Sequence, residues 1–310
     1  MSAGPEVRCA CGALNDVSFD TCIRCRRVLR RDGTVEPGSA ALPIPEAAGA
    51  AKRSIRPAAE EEDDVEDDDD ESPRPAMWSS IIVGGICALV FASEWAMAAR
   101  RGDGMPLSGG GTFGDMLRAG MLRISPKFIA LEPFRFVSAG FVHFGLIHFV
   151  LNMSSLFYVG AKAERMVGPS RTVMAFVVTS IFGFATSAAW QLMVVRHQID
   201  TGGASAGVLG VMGLVFGVML RTRHPDRLGF GLQVVLVSVV FGFALSSGSS
   251  FSVNNAAHVG GLLSGMVLGL GWGYRTAREG WLSKAFAATM IILSVASLAA
   301  ARQSDLAALY

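Results

Sequence analysis

The chain has 310 residues, 51% of them hydrophobic and 17% charged, with a formal net charge of +1. That near-neutral total excludes assigning a partner from bulk charge, because it conceals segregation: acidic residues crowd into 60–71, while the remainder is mildly basic. With a mean hydropathy of +0.42, the informative question is where the apolar residues are grouped.

The first 76 residues hold no apolar core of the length that a cleavable signal peptide requires. Residues 1–31 contain Cys9-Ala10-Cys11 and, after ten residues, Cys22-Ile23-Arg24-Cys25. Four thiolates in two close pairs suit tetrahedral zinc, and a cytoplasmic location disfavours disulfides. The Cys22/Cys25 half has the usual zinc-knuckle spacing, while the Cys9/Cys11 half is tighter. The segment resembles a small zinc ribbon, with iron or an unstructured redox-active tail as alternatives. Arg24, Arg26, Arg27, Arg30 and Arg31 suit nucleic acid, anionic lipid or the acidic run nearby. A ribbon this small more often docks a protein, so the expected partner is a cytoplasmic protein, with no clear nucleic acid. Residues 32–76, rich in Ala, Pro, Glu and Asp, cannot bury enough surface to fold and read as a disordered acidic linker.

Seven apolar segments follow, each measured against the roughly 20 residues needed to cross a bilayer. They are Trp78–Ala99, Ala139–Gly160, Thr172–Val195, Ala204–Leu220, Leu228–Ser247, Ala256–Tyr274 and Leu282–Ala300. The expected fold class is an all-α membrane protein. Lys162, Arg165, Arg171, Arg221, Arg223, Arg227, Arg275, Arg278 and Lys284 all fall in the loops of one side. By the positive-inside rule the N-terminus is cytoplasmic and the C-terminus lies on the outer side. Glu94, near the outer end of the first span, is placed to snorkel, and residues 102–130 read as a long external loop partly resting in the interface.

Chemistry concentrates at one depth. Ser205 begins the fourth span and His258 stands near the start of the sixth. Even-numbered spans enter from the same face, so both groups belong just below the outer surface. A serine hydroxyl needs a base to remove its proton, and an ionisable group in lipid reads as functional. Ala257, Gly261, Gly265 and Gly269 recur every four residues, as do Gly203 with Gly207 and Gly213 with Gly217. Such small-residue faces let backbones touch and bring hydroxyl and imidazole together. His148 and Asn152 share a face of the second span, which also enters from outside, and both are suitable donors to an oxyanion.

These residues resemble the rhomboid intramembrane serine proteases over roughly residues 78–275. His143, His148 and Asn152 match the family's H-x4-H-x3-N, and Glu164-Arg165 matches its Glu-Arg element. Gly203-Ala204-Ser205 matches G-x-S, and Ala257-His258-Val259-Gly260-Gly261 matches A-H-x-x-G. Arg135 is present in the family's Trp-Arg position, with Phe134 for the Trp. The resemblance implies a six-helix core (77–275), here with a seventh helix in 276–310. Ser205 would be the nucleophile and His258 the general base, with no third acid and no cofactor for catalysis. His148, Asn152 and the Ser205 backbone N–H would receive the oxyanion. The substrate would be a single-span transmembrane helix, cut in the bilayer, in a bacterial inner membrane. Arg135 would shape the first external loop, and Glu164 would be a structural hydrogen-bonder. Ala206 stands where the family commonly has Gly, and Leu209 where an aromatic often stacks on the base; both bear on efficiency. The alternatives are a catalytically silent rhomboid-like protein that binds transmembrane helices, and a channel or transporter.

Overall fold

A computed structural model of the chain describes residues 6–8, 14–16, 77–103, 112–196, 198–239, 254–273 and 280–305. The chain divides into two units, Met1–Asp68 and Asp69–Tyr310. In the first, β1 (Glu6–Arg8) and β2 (Leu14–Asp16) pair antiparallel with Val7 opposite Asn15. Cys9, Cys11, Cys22 and Cys25, expected to hold zinc, lie outside the described residues, as does the acidic linker.

The second unit is helical. Its elements are α1 (Trp78–Arg100), α2 (Phe113–Ala119), β3 (Leu122–Ile124), α3 (Pro126–Leu131) and α4 (Arg135–Ser138), followed by a 3₁₀ turn at Ala139–Phe141. Then come α5 (Leu146–Val167), α6 (Pro169–Trp190) with a π-helical end at Gln191–Val195, and β4 (Ile199–Thr201). The chain closes with α7 (Ser205–Arg221), α8 (Arg227–Val239), α9 (Asn255–Trp272) and α10 (Trp281–Gln303). All seven expected spans contain a helix. Among the described residues three helices are long and apolar enough to cross a membrane, and a fourth is reached when the bent pair Arg135–Phe141 and Leu146–Val167 counts as one span. By length and composition these helices support a multi-pass membrane protein.

The packing of α7 on α9 fixes where the site forms. A Cβ added to Gly261 would lie 2.2 Å from the Ala206 carbonyl oxygen, one on Gly265 1.8 Å from Gly210 O, and one on Gly269 2.2 Å from Leu214 O. Those distances are far below van der Waals contact, so only hydrogen at these positions lets the two backbones meet. The seam locks the helices in register, and α6 packs against both.

At the other end of the bundle, the Glu164 carboxylate of α5 accepts the backbone N–H groups of Trp78 (3.1 Å) and Ser79 (2.7 Å) and the Ser79 hydroxyl. These are orphan donors of the first turn of α1, which has no capping side chain of its own. The structural role expected of Glu164 is thus a helix cap supplied from a neighbouring span.

The second span differs from the sequence expectation. Its helix starts at Leu146 rather than Ala139, after a 93° change of direction. Gly145 sits at φ +98°, and side chains take the freed backbone donors: His143 N–H donates to Glu94 Oε1 (3.2 Å) and Phe144 N–H to His148 Nδ1 (3.3 Å). With those groups satisfied, the chain turns sharply without an open-ended helix. Glu94 therefore does not snorkel; it is buried, and it accepts from the break.

From Thr112 onward the expected external loop is a folded lobe. A capping box of Thr112 and Asp115 starts α2, and Gly120 ends it at φ +116°. Arg135, fully buried, donates to Glu132 and to the carbonyls of Leu117 (2.6 Å) and Met121 (2.9 Å). The Ser304 hydroxyl beyond α10 donates to the other oxygen of Glu132. Helix α10, packed against α2, α4 and α6, thereby closes over this lobe.

Candidate active site

Ser205 is the first residue of α7 and His258 lies in the first turn of α9. Because the glycine seam holds these helices in register, both side chains emerge at the same end. His258 Nε2 stands 2.7 Å from Ser205 Oγ. His258 Nδ1 is buried and has no hydrogen-bond partner among the described residues. The pair is a hydroxyl and an imidazole, with no carboxylate bonded to the ring among the described residues. With Nε2 as acceptor, the proton of the neutral ring sits on Nδ1, and the hydroxyl proton points at the base.

Gly203, two residues before the serine, has φ +130°, and its N–H donates to Ala139 O (2.8 Å). A Cβ there would lie 2.7 Å from His148 Cε1, 3.0 Å from His148 Nε2 and 3.7 Å from Ser205 Oγ. The imidazole of His148 and the hydroxyl of Ser205 thus border one small space, and glycine is required both by backbone conformation and by the ring lying on it. His148 Nδ1 accepts the Phe144 N–H, which assigns the ring proton to Nε2, 3.0 Å from where a Gly203 Cβ would lie. A neutral imidazole held in that tautomer is a donor aimed at the serine side.

Asn152, one turn along α5, is buried, and its Nδ2 donates to the His148 carbonyl (2.8 Å). One amide N–H is therefore spent within the helix, and the second remains as the donor the residue can offer. His143, five residues before His148, sits in the break that precedes α5. Its Nδ1–H donates to Phe141 O (3.1 Å), and its ring centroid is 5.3 Å from that of His148. It packs behind the site rather than in it.

Of the two departures from the resemblance, Ala206 is buried with its methyl toward Gly183 of α6, where a Cβ would come within 3.0 Å of it. The glycine of one helix accommodates the extra methyl of the other. Leu209 is buried in the main apolar core with Val208 and Met212.

Sequence reasoning missed Asn254 and Thr201. Asn254 caps α9, its Oδ1 accepting from Ala257 N–H (3.1 Å) and from the Ser187 hydroxyl of α6 (2.9 Å). Its Nδ2 donates to Thr201 Oγ1 of β4 (2.9 Å). The cap was legible as an asparagine just before an apolar helix; the cross-links to α6 and β4 had no signal in spacing.

Fold and site together define a class: a polytopic helical bundle with a serine–histidine pair set at one end of a glycine-lined helix seam. Residues 130–275 match the family described as Rhomboid domain. The chain is 26% identical over 164 residues to Rhomboid protease GluP of Bacillus subtilis, covering 52% of this chain and 30% of that protein. It is 32% identical over 142 residues to RHOMBOID-like protein 6, mitochondrial, of Arabidopsis thaliana (44% of this chain, 43% of that protein). With Rhomboid protease GlpG of Yersinia pestis it shares 31% identity over 143 residues, 44% of this chain and 48% of the relative. The chain thus spans less than half the length of each of these curated relatives, and the matches support the rhomboid family for the segment that carries the site.

Proposed function

We propose that this chain is a rhomboid-family intramembrane serine endopeptidase that hydrolyses transmembrane-helix substrates with Ser205 and His258. The observation that carries the reading is the 2.7 Å contact between His258 Nε2 and Ser205 Oγ at the head of the α7–α9 seam. His258 takes the hydroxyl proton as Ser205 Oγ attacks the scissile carbonyl carbon, and it returns that proton to the leaving amine. Negative charge grows on the carbonyl oxygen beside the first turn of α7, where helix N–H groups and the dipole favour an anion. His148, through Nε2–H, and Asn152, through its second amide N–H, are the side-chain donors to that oxygen. A water then attacks the acyl carbon, His258 acting again as base, and Ser205 is regenerated.

The dyad faces the outer leaflet, with the N-terminus cytoplasmic, the C-terminus outside, and six core spans plus α10 in a bacterial inner membrane. Zinc in the N-terminal module is held by Cys9, Cys11, Cys22 and Cys25, and that module docks a cytoplasmic protein. Stoichiometric zinc that disappears in Cys22→Ser protein is the expected outcome of metal analysis.

For the protease, the experiment is cleavage of a model transmembrane substrate in liposomes. Wild-type protein is expected to cut it and Ser205→Ala protein to leave it intact. Equal cleavage by both would remove the assignment, and a protein that binds the helix without cutting it would be the silent relative.

A further inference from the structure

A second polar bridge runs beside the dyad. Asn254 precedes His258 by four residues and Thr201 precedes Ser205 by four, so the two residue pairs have the same separation of 53 along the chain. Asn254 Nδ2 donates to Thr201 Oγ1 at 2.9 Å, while Ser205 and His258 meet at 2.7 Å. We infer that Asn254 is a positioning residue, holding the His258-bearing end of α9 against the strand that leads into Ser205 so that Nε2 and Oγ stay in register.

The glycine seam reaches as far as Ala206, which meets Gly261. It fixes the bodies of α7 and α9, but Ser205 is the first residue of its helix, reached through Gly202 and Gly203. That approach needs its own anchor. One is the Gly203 N–H bond to Ala139 O (2.8 Å); another is β4, where Thr201 pairs with Leu122 of β3. Neither touches α9. The Asn254–Thr201 bond links the two sides: Thr201 is 4% exposed and Asn254 half-buried, and Ser187, which also bonds Asn254, is fully buried. Asn254 engages both sides of its amide. Oδ1 accepts from Ala257 N–H and Ser187 Oγ–H, and Nδ2 donates to Thr201, so one planar group ties α9 to α6 and β4 at once. A small displacement of a reacting pair lowers the rate steeply, because proton transfer needs hydrogen-bond geometry.

The inference rests on the proposed protease reading, and the experiment separates the two. Thr201→Val preserves volume, leaves the α9 cap and the Ser187 bond intact, and removes only the acceptor across the gap. Steady-state cleavage in liposomes is expected to show kcat about tenfold lower or worse, with KM unchanged within about twofold. The melting temperature should stay close to that of the wild type. Asn254→Ala is expected to lower kcat comparably and, having lost the cap, to melt earlier. The double variant should be no slower than Asn254→Ala, since that variant already lacks the bond to Thr201. Wild-type kcat in Thr201→Val, or full additivity in the double variant, overturns the positioning role. Loss of the difference between wild type and Ser205→Ala overturns the protease reading, and the inference with it.

Discussion

Along the seam between α7 and α9, glycines let one backbone rest on the other and no side chain intervenes. In the lobe of residues 112–142, one buried arginine gathers what the chain path leaves apart: Arg135 reaches Glu132 and the carbonyls of Leu117 and Met121. Both regions border the dyad, one from below and one through β3 and β4. The seam is specified by what is missing from its side chains, the lobe by the donors of a single one. A seam of that kind resists enlargement, and a lobe of that kind resists deletion.

Four substitutions test how these regions hold. The largest effect is expected at Gly203, where the ring of His148 and a φ of +130° both exclude a methyl. Gly203→Ala should reduce cleavage by about a hundredfold or more while the bundle stays folded by circular dichroism; near-normal cleavage would show that His148 does not border the serine. Next is Arg135→Ala, which strands the Glu132 carboxylate and two carbonyls in a buried lobe. Unfolding in mixed micelles should lose about 3–5 kcal/mol, as when one partner of a buried ion pair is removed. Gly265→Ala should lose about 1–3 kcal/mol through overpacking, with faster proteolysis of α9. An unchanged melt there would mean that the seam is looser than a 1.8 Å encounter with Gly210 O allows. The smallest effect belongs to Arg123→Ala. Arg123 pairs with Asp200 across β3 and β4 through two bonds (2.7 and 2.8 Å), but both groups are partly solvated. About 0–1 kcal/mol is expected, declining further in high salt.

The same contrast explains what the sequence made legible. Apolar length located a helix in all seven expected spans, and the four-residue recurrence of small residues identified the seam and, from it, the meeting of Ser205 with His258. Periodicity reports on faces of regular helices, and these groups lie on such faces. It fails where the backbone leaves regular structure. The break at 142–145 continues an apolar run, so nothing in spacing separates it from helix; only the bonds from Glu94 and His148 to its N–H groups make it a turn. Glu94 looked like a snorkelling surface acid because its partner is the backbone of a break not visible in sequence. The strand pairing of Leu122 with Thr201 joins short segments about eighty residues apart, too brief for a period to register. Asn254 was readable as a cap, while its bonds to Ser187 and Thr201 depend on packing of three separate elements.

In the proposed reading the Ser205 hydroxyl is activated by the His258 imidazole, and a fluorophosphonate probe reads that activation without a chosen substrate. Intact protein in liposomes should take up one equivalent, mapped by peptide mass spectrometry to Ser205, and His258→Ala protein should take up none on the same timescale. Undiminished labelling of Ser205 in His258→Ala protein, or a label mapped to another residue in the wild type, would contradict it.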